Sequence, residues 1–323
     1  MAHTNPTPSW IPKPALARVV VLGASGFIGR ALTQELRERG HAVAAIGGRT
    51  ADSAQALDAQ VDITNLNAVV RVLQQVAGDT VINAAAMANI DRAETDRKAC
   101  WAINVDGAKN LAVACHRVGM RLLHLSSDAV FGDDSDSHAE DDPPGPVNYY
   151  GVSKLASEQA VLALSPHASV LRLSLVLGGG GGNSLIGWLE RAHRVGESVH
   201  APDDEFRTPI DISTLASCVS ELTTKRFAGV LHLGATAALS RFQIYQRILL
   251  ELGLDHVQLI RNAPPNPARA PRNRKGCLNV NRAMALLNTR LESPEICIRK
   301  ACQRSAQTKG TAGTAIPVTT NAP

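Results

Sequence analysis

Aromatic side chains are scarce in this chain of 323 residues, where Phe, Trp and Tyr make up 3 % of positions against 45 % for all hydrophobic residues. A core with so few rings must be built from Ala, Val, Leu and Ile, which suits helices packed on a parallel sheet. Long apolar runs are also lacking, so we expect no membrane partner. The Pro-rich start, MAHTNPTPSWIPKPALA, has no apolar run either and is not typical of a signal peptide.

Paired cysteines and metal-binding spacings are missing as well. The six cysteines are scattered without a CxxC pair, and the ten histidines form no HxxxH or HxH pair. This pattern predicts reduced thiols, a cytoplasmic location and no catalytic metal. Basic residues concentrate after Arg261, but no aromatic residues are interleaved with them, so we expect no nucleic-acid partner. A solvated basic tail and basic groups near a phosphate-bearing ligand both remain open.

Strand and helix patterns alternate along most of the chain. Short apolar runs predict buried strands at 18–23, 41–47, 59–64, 79–86, 120–127, 168–175 and 229–233. Helical periodicity occupies the intervals, at 27–40, 66–78, 91–118, 150–164, 184–195, 213–224 and 240–252. The alternation predicts an α/β fold with a doubly wound parallel sheet and helices on both faces.

A glycine-rich turn, GASGFIG, joins the first strand to the first helix. Gly23 permits the tight turn, Gly26 the approach of a pyrophosphate, and Gly29 close helix packing. The helix N-terminus offers free N–H groups to that pyrophosphate. The turn therefore predicts a Rossmann dinucleotide site, with the candidate contacts Gly23, Ser25, Gly26, Phe27, Ile28 and Gly29.

The ends of the next strands indicate which dinucleotide binds. The second strand is followed by Arg49, with no carboxylate before Asp52, which favours NADP(H) and leaves NAD(H) as the alternative. The alternative interpretation is that Arg49 is a surface arginine at the end of a strand. Asp62 either accepts a hydrogen bond from adenine or caps the following helix. Ile63 and the small residues Ala84, Ala85 and Ala86 complete the predicted nucleotide contacts.

The segment NYYGVSK carries the candidate chemistry. Tyr150 and Lys154 are four residues apart and so share one helix face, whereas Tyr149 is rotated toward packing or a substrate wall. A nearby ammonium is expected to lower the pKa of the Tyr150 phenol and make it a usable proton donor. Ser126 and Ser127 end a strand at the same edge of the sheet, where doubly wound folds bind ligands.

Together these motifs resemble the extended short-chain dehydrogenase/reductases, most closely the dTDP-4-dehydrorhamnose reductase subgroup. The resemblance runs from Arg18 to Leu287 through GASGFIG, NAAA, WAINVDGAKNLA, LHLSSDAVFG, YYGVSKLASE, LRLSLVLGGGG, DDEFRTPIDISTLA and ARAPRNRKGCLNV. It implies that Ser127 polarises a carbonyl group and that Tyr150 donates the proton. It also implies that Lys154 assists Tyr150 and binds the nicotinamide ribose, that Ser126 faces inward, and that Asn104 supports the site.

Composition and the resemblance together predict a division of the chain. Residues 1–16 form a disordered lead-in, and 17–175 an NAD(P)-binding Rossmann domain. Residues 176–303 form a smaller, interleaved C-terminal substrate-binding region with segments that return to the Rossmann domain. Residues 304–323 are expected to be a disordered tail.

Departures from the subgroup affect the predicted substrate contacts. Ala129 stands where relatives carry an aromatic wall residue, and Ala270 replaces an expected arginine before Pro271. Arg269, Arg272 and Arg274 are then candidates to bind a diphosphate. The predicted substrate contacts are Ser127, Asp128, Ala129, Tyr149 and Arg269.

The expected function is NADP(H)-dependent reduction of a keto group on a nucleotide-activated deoxy sugar. Dehydration is disfavoured, because Asp128 follows Ser127 without a second acid. A non-catalytic nucleotide-binding regulatory subunit, an epimerase and an NADP-linked ketoreductase for another small ketone remain alternatives. A homodimer is compatible with each of them.

Overall fold

The computed structural model describes residues 16–48, 57–178, 184–254, 256–262 and 269–312. Several sequence predictions lie outside these ranges: nearly all of the lead-in, Arg49, the glycines at 179–182 and the tail from 313.

A seven-stranded sheet, parallel throughout, forms the centre of the molecule, in the order β11-β6-β5-β4-β1-β2-β3. Its strands are β1 (Arg18–Leu22), β2 (Ala42–Gly47), β3 (Ala59–Gln60), β4 (Thr80–Asn83), β5 (Arg121–Ser127), β6 (Ser169–Leu173) and β11 (Gly229–Leu233). The strand order reverses at β1, between β2 and β4. A crevice therefore opens there at the carboxyl ends of the strands, where ligands bind in such sheets.

Helices cover both faces of this sheet and confirm the predicted doubly wound fold. Their bounds are α1 (Phe27–Glu38), α2 (Leu66–Val76), α3 (Ile90–Thr95), α4 (Arg97–Trp101), α5 (Gly107–Val118), α6 (Tyr149–Leu164), α7 (Leu185–Val195), α8 (Ile212–Thr224), α9 (Arg241–Glu251), α10 (Asn281–Leu286) and α11 (Pro294–Ala312). One core cluster includes Leu32 and Leu215, and the opposite one includes Leu73 and Leu111. None of the helices in the described ranges is long and apolar enough to cross a membrane.

The C-terminal part of the chain adds a smaller, interleaved region. Its strands are β7 (Val176–Leu177), β8 (Val199–Ala201), β9 (Phe206–Arg207), β10 (Ile210–Asp211), β12 (Leu239–Ser240), β13 (Leu259–Arg261) and β14 (Lys275–Gly276). A third apolar cluster, with Leu189, Ile248 and Ile298 among its members, joins α7, α9 and α11. Strand β11 returns from this part of the sequence to the edge of the central sheet.

Two predicted elements differ in the structure. The helical pattern over 91–118 is interrupted: the side chain of Asp96 caps α4, and a π-helix over Ala102–Asp106 precedes α5. The second difference concerns the tail, because α11 continues through Ala312, whereas disorder was predicted from 304. Burial of Cys297, Ile298, Ala301 and Cys302 anchors α11 and explains why it persists despite its polar composition.

Candidate active site

The turn between β1 and α1 has the shape that a dinucleotide phosphate requires. Gly23 has a φ of +79°, and a Cβ atom there would overlap the backbone of Ala84 and Ala85. A Cβ atom at Gly29 would overlap the carbonyl oxygen of Gly23. The glycines therefore let α1 begin directly against the strand ends, with its N–H groups facing the crevice.

Two cavities at this edge of the sheet share Gly26, Ala84 and Ala86. The first, about 360 Å³, is lined by Gly23, Ser25, Asp62, Ile63, Ala85 and Ile103 as well. The second, about 640 Å³, adds Phe27, Ile28, Asn89, Ser127, Tyr150, Lys154 and Ser174. A crevice with a glycine cradle at its middle and polar catalytic groups at one end fits an extended dinucleotide such as NADP(H).

Asp62 lies in the cavity where the adenine of a dinucleotide is expected. Its carboxylate accepts hydrogen bonds from the backbone N and the hydroxyl of Thr64, at 3.0 and 2.7 Å. The cap of α2 is Asn65, which accepts from the N–H of Ala68, so the alternative role of Asp62 as helix cap is wrong. Arg49 lies outside the described residues.

Three polar side chains from two elements meet in the larger cavity. Ser127 is the last residue of β5, and Tyr150 and Lys154 are one turn apart at the start of α6. The side chain of Asn148 caps α6 by accepting from the N–H of Gly151. A Cβ at Gly151 would overlap the carbonyl oxygen of Ala129, so glycine is needed for the helix to approach the turn after β5 this closely.

Burial sets the protonation state of this group. The pKa of Tyr150 is raised to about 12, mainly by burial, while a hydrogen bond with Ser127 opposes the rise. The pKa of Lys154 is lowered to about 8 by burial, against the opposing charge of Glu158. Lys154 donates to the carbonyl of Leu125 at 2.7 Å. The phenol pKa is therefore raised rather than lowered as expected, because burial is the largest influence on it, and Tyr150 remains a protonated donor.

Asn104 supports the site from the π-helix. Its side chain accepts from the N–H of Met87 at 2.8 Å and donates to the hydroxyl of Ser153 at 2.9 Å. The Ser153 hydroxyl also donates to the carbonyl of Tyr150 at 2.7 Å. Asn104 thus ties the loop after β4 to the helix that carries Tyr150, and the π-bulge turns it inward.

The remaining predicted substrate contacts are not among the residues that line these two cavities. Asp128 and Ala129 are buried. The ring of Tyr149 lies under the guanidinium of Arg97, with 4.9 Å between the guanidinium carbon and the ring centroid. Arg269 is 3.7 Å from a carboxylate oxygen of Glu205.

Sequence patterns missed two buried ion pairs around the site. Arg172 on β6 binds Glu158 in a two-pronged arrangement with contacts of 2.8–3.1 Å, and Ser126 donates to the same carboxylate. Arg207 on β9 lies 3.3 Å from Asp128. Glu158 follows Lys154 by four residues, which was a usable signal, but the partners of both pairs come from elements distant in sequence.

Comparisons with known proteins agree with this geometry. The family model described as RmlD substrate binding domain matches residues 17–305. A dTDP-4-dehydrorhamnose reductase of Mycolicibacterium smegmatis is 34 % identical over 241 residues, covering 74 % of this chain and 70 % of the relative. A crystal structure of dTDP-4-dehydrorhamnose reductase from Bacillus anthracis in complex with NADP has a TM-score of 0.78 and 27 % identity, covering 88 % of this chain and 98 % of the other.

A relative that is named as a subunit of another enzyme, rather than as a reductase, also matches. The methionine adenosyltransferase 2 subunit beta of Pongo abelii is 27 % identical over 266 residues, covering 79 % of each chain.

Proposed function

Because the chain belongs to the family of the RmlD substrate binding domain, we propose that it is an NADPH-dependent reductase of the keto group of a nucleotide-activated deoxy sugar. The names of its relatives favour a dTDP-linked 4-keto-6-deoxy sugar as substrate.

One observation carries this proposal: the cavity that begins at the glycine turn ends at Ser127, Tyr150 and Lys154. A binding protein requires the glycine turn but has no need for a protonated phenol, a hydroxyl and an ammonium at the far end. Carbonyl reduction requires all of them, because the oxygen that accepts negative charge must be bound and protonated.

The chain's own residues perform the acid chemistry. When bound, NADPH supplies the hydride for the carbonyl carbon. Ser127 donates a hydrogen bond to the carbonyl oxygen, and Tyr150 delivers its phenolic proton to the same oxygen. Lys154, as an ammonium, stabilises the phenolate that Tyr150 becomes. The apolar residues Phe27, Ile28 and Val176 line the same cavity and limit access of water.

The test is to follow NADPH absorbance at 340 nm with purified protein and a panel of nucleotide-linked 4-keto-6-deoxy sugars. We expect oxidation with a dTDP-linked sugar and none with the corresponding 4-hydroxy sugar. Tight NADPH binding without oxidation across the whole panel would contradict the proposal and favour a regulatory subunit, as the match to the methionine adenosyltransferase subunit allows.

Cofactor preference has its own test, because Arg49 follows the second strand where the adenosine ribose is expected. Replacing Arg49→Asp should raise the KM for NADPH at least about tenfold and lower that for NADH, since an aspartate repels a 2′-phosphate and accepts from a free 2′-hydroxyl. Unchanged KM values for both cofactors would show that Arg49 does not contact the 2′-phosphate.

We further propose that 176–303 supplies most of the substrate contacts and that the protein acts as a homodimer. Trp101 on α4 and Val152 on α6 support the second proposal, because both are large apolar side chains with more than a third of their surface exposed, 38 % and 39 %. Light scattering after size exclusion tests it: a monomer mass for the active protein would contradict it.

A further inference from the structure

The carboxylate of Asp128 lies directly behind the hydroxyl that polarises the substrate. Asp128 is 6 % exposed, and its Oδ1 accepts a hydrogen bond from Ser127 at 3.0 Å. Its Oδ2 accepts from Ser174 at 2.9 Å. A buried carboxylate is costly without a positive partner.

That partner is Arg207, from β9 of the smaller region. Its Nε is 3.3 Å from Asp128 Oδ2, and the side chain is as buried as that of Asp128. The guanidinium donates to the carbonyl oxygens of Phe206 and Asn273, at 2.6 and 2.8 Å. These hydrogen bonds fix the orientation of the planar guanidinium, so Arg207 is held rigidly beside Asp128.

The backbone around the pair is adapted to it. A Cβ atom at Gly276 would overlap Asp128 Oδ2 and come within 3.0 Å of Arg207 Nη1. Asn273 donates from its side chain to the carbonyl of Asp128 at 3.1 Å. Two segments of the C-terminal part, one at Arg207 and one from Asn273 to Gly276, therefore converge on the residue after Ser127.

The hydrogen bond from Ser127 to Asp128 affects the reaction, because Ser127 has a single hydroxyl proton to donate. In this structure Asp128 receives it, whereas carbonyl reduction requires it at the substrate oxygen. Without a positive partner, the Asp128 carboxylate would bind the Ser127 hydroxyl proton more strongly. It would also raise the pKa of Tyr150 further, since its charge already raises that pKa. The guanidinium of Arg207 weakens both effects.

We propose that Arg207 is a positioning residue for this reaction, which pairs with Asp128 so that the Ser127 hydroxyl is free to bind the substrate carbonyl. The inference rests on the proposed reductase activity. It assigns to the smaller region a role in the acid chemistry as well as in substrate binding.

The test is a double-mutant cycle of Arg207→Gln and Asp128→Asn with NADPH and the accepted sugar nucleotide. We expect Arg207→Gln to lower kcat at least about tenfold with little change in the Kd for NADPH. In the Asp128→Asn background, where no charge needs neutralising, the same substitution should change kcat less than about threefold.

Two further variants separate positioning from damage. Arg207→Lys keeps the charge without the fork, so its kcat should lie between those of wild type and Arg207→Gln, and it serves in the cycle if Arg207→Gln does not fold. Arg121→Gln is the matched control, because Arg121 begins β5, the strand that ends at Ser127, and donates to the carbonyl oxygens of Leu222 and Lys225 at the opposite end of that strand. It should lower Tm and leave kcat unchanged.

An equal loss of kcat in both backgrounds would overturn the inference, as would a change confined to the KM for the sugar, which would mean that Arg207 touches the substrate. Wild-type protein that binds NADPH but turns over no sugar would instead contradict the proposed function itself.

Discussion

Adjacent serines at the end of β5 direct their hydroxyls to different partners. Ser127 lies at the cavity with Tyr150, whereas the hydroxyl of Ser126 donates to the buried carboxylate of Glu158. Because strand residues alternate between faces, the same strand end supplies a reactive hydroxyl and an internal anchor. The charge of Glu158 also raises the pKa of Lys154. The pH dependence of activity can therefore be predicted from these individual residues.

Activity should decline on the alkaline side as Lys154 loses its proton. Burial lowers the pKa of Lys154 to about 8 and Glu158 raises it, so the ammonium is present below that pH and lost above it. Replacing Glu158→Gln removes the raising charge and leaves Arg172 positive. The alkaline limb of kcat should therefore move to lower pH, as measured from pH 6 to 10.

The matched control for this shift is Glu140→Gln. Glu140 is also buried, and it accepts from the N–H of His232 while its carbonyl accepts from Arg172. Its loss should reduce stability without moving the limb. A limb that stays in place in Glu158→Gln would show that Lys154 is not the group that titrates.

At the scale of elements, the start of α1 determines whether the cofactor binds. A side chain at Gly29 would collide with the backbone of Gly23, forcing the helix away from the strand ends. Gly29→Val should therefore raise the Kd for NADPH by at least about a hundredfold and lower Tm, as measured by fluorescence titration and thermal unfolding. Gly145→Ala is the control, because a Cβ there meets only an ordinary contact at 3.9 Å from Gly132. Tight NADPH binding by Gly29→Val would contradict the role of the turn.

The strands of the central sheet and the amphipathic helices were predictable, because continuous apolar runs indicate buried strands and a helical period indicates helices. The seven short strands that pair outside the central sheet in the described ranges were not, since two or three residues carry no period. The break at Asp96 and the π-helix at Asn104 were also missed, because both occur inside a continuous helical pattern. For the site, spacing identified Tyr150 and Lys154, whereas Arg207 is 79 positions from Asp128 and no local pattern joins them.

At the scale of the whole molecule, the C-terminal helix fastens the smaller region to the Rossmann core. Arg304 on α11 is 2.5 Å from Glu35 and 2.9 Å from Glu38, both on α1. Glu35 is buried, and burial raises its pKa, with Arg304 the largest opposing influence. Helix α11 is therefore linked by ion pairs to α1, the helix that begins at the cofactor turn.

Removing this link should destabilise the fold without touching the site. Arg304→Ala leaves Glu35 with Arg39 alone, so the free energy of unfolding in urea should fall by about 1–3 kcal/mol. Arg299→Ala, which loses only an exposed pair with Glu251, should change it by less than about 0.5 kcal/mol. Equal effects of the two substitutions would mean that α11 is not held by Arg304.

The proposed mechanism requires that Tyr150 transfers its phenolic proton to the substrate oxygen. The measurement is a paired determination of kcat and of the Kd for NADPH in wild type and Tyr150→Phe, which keeps the ring and removes the acid. We expect kcat to fall by at least about a thousandfold while the Kd changes less than about threefold. Turnover by Tyr150→Phe at a rate near that of the wild type would contradict the assignment of Tyr150 as the proton donor.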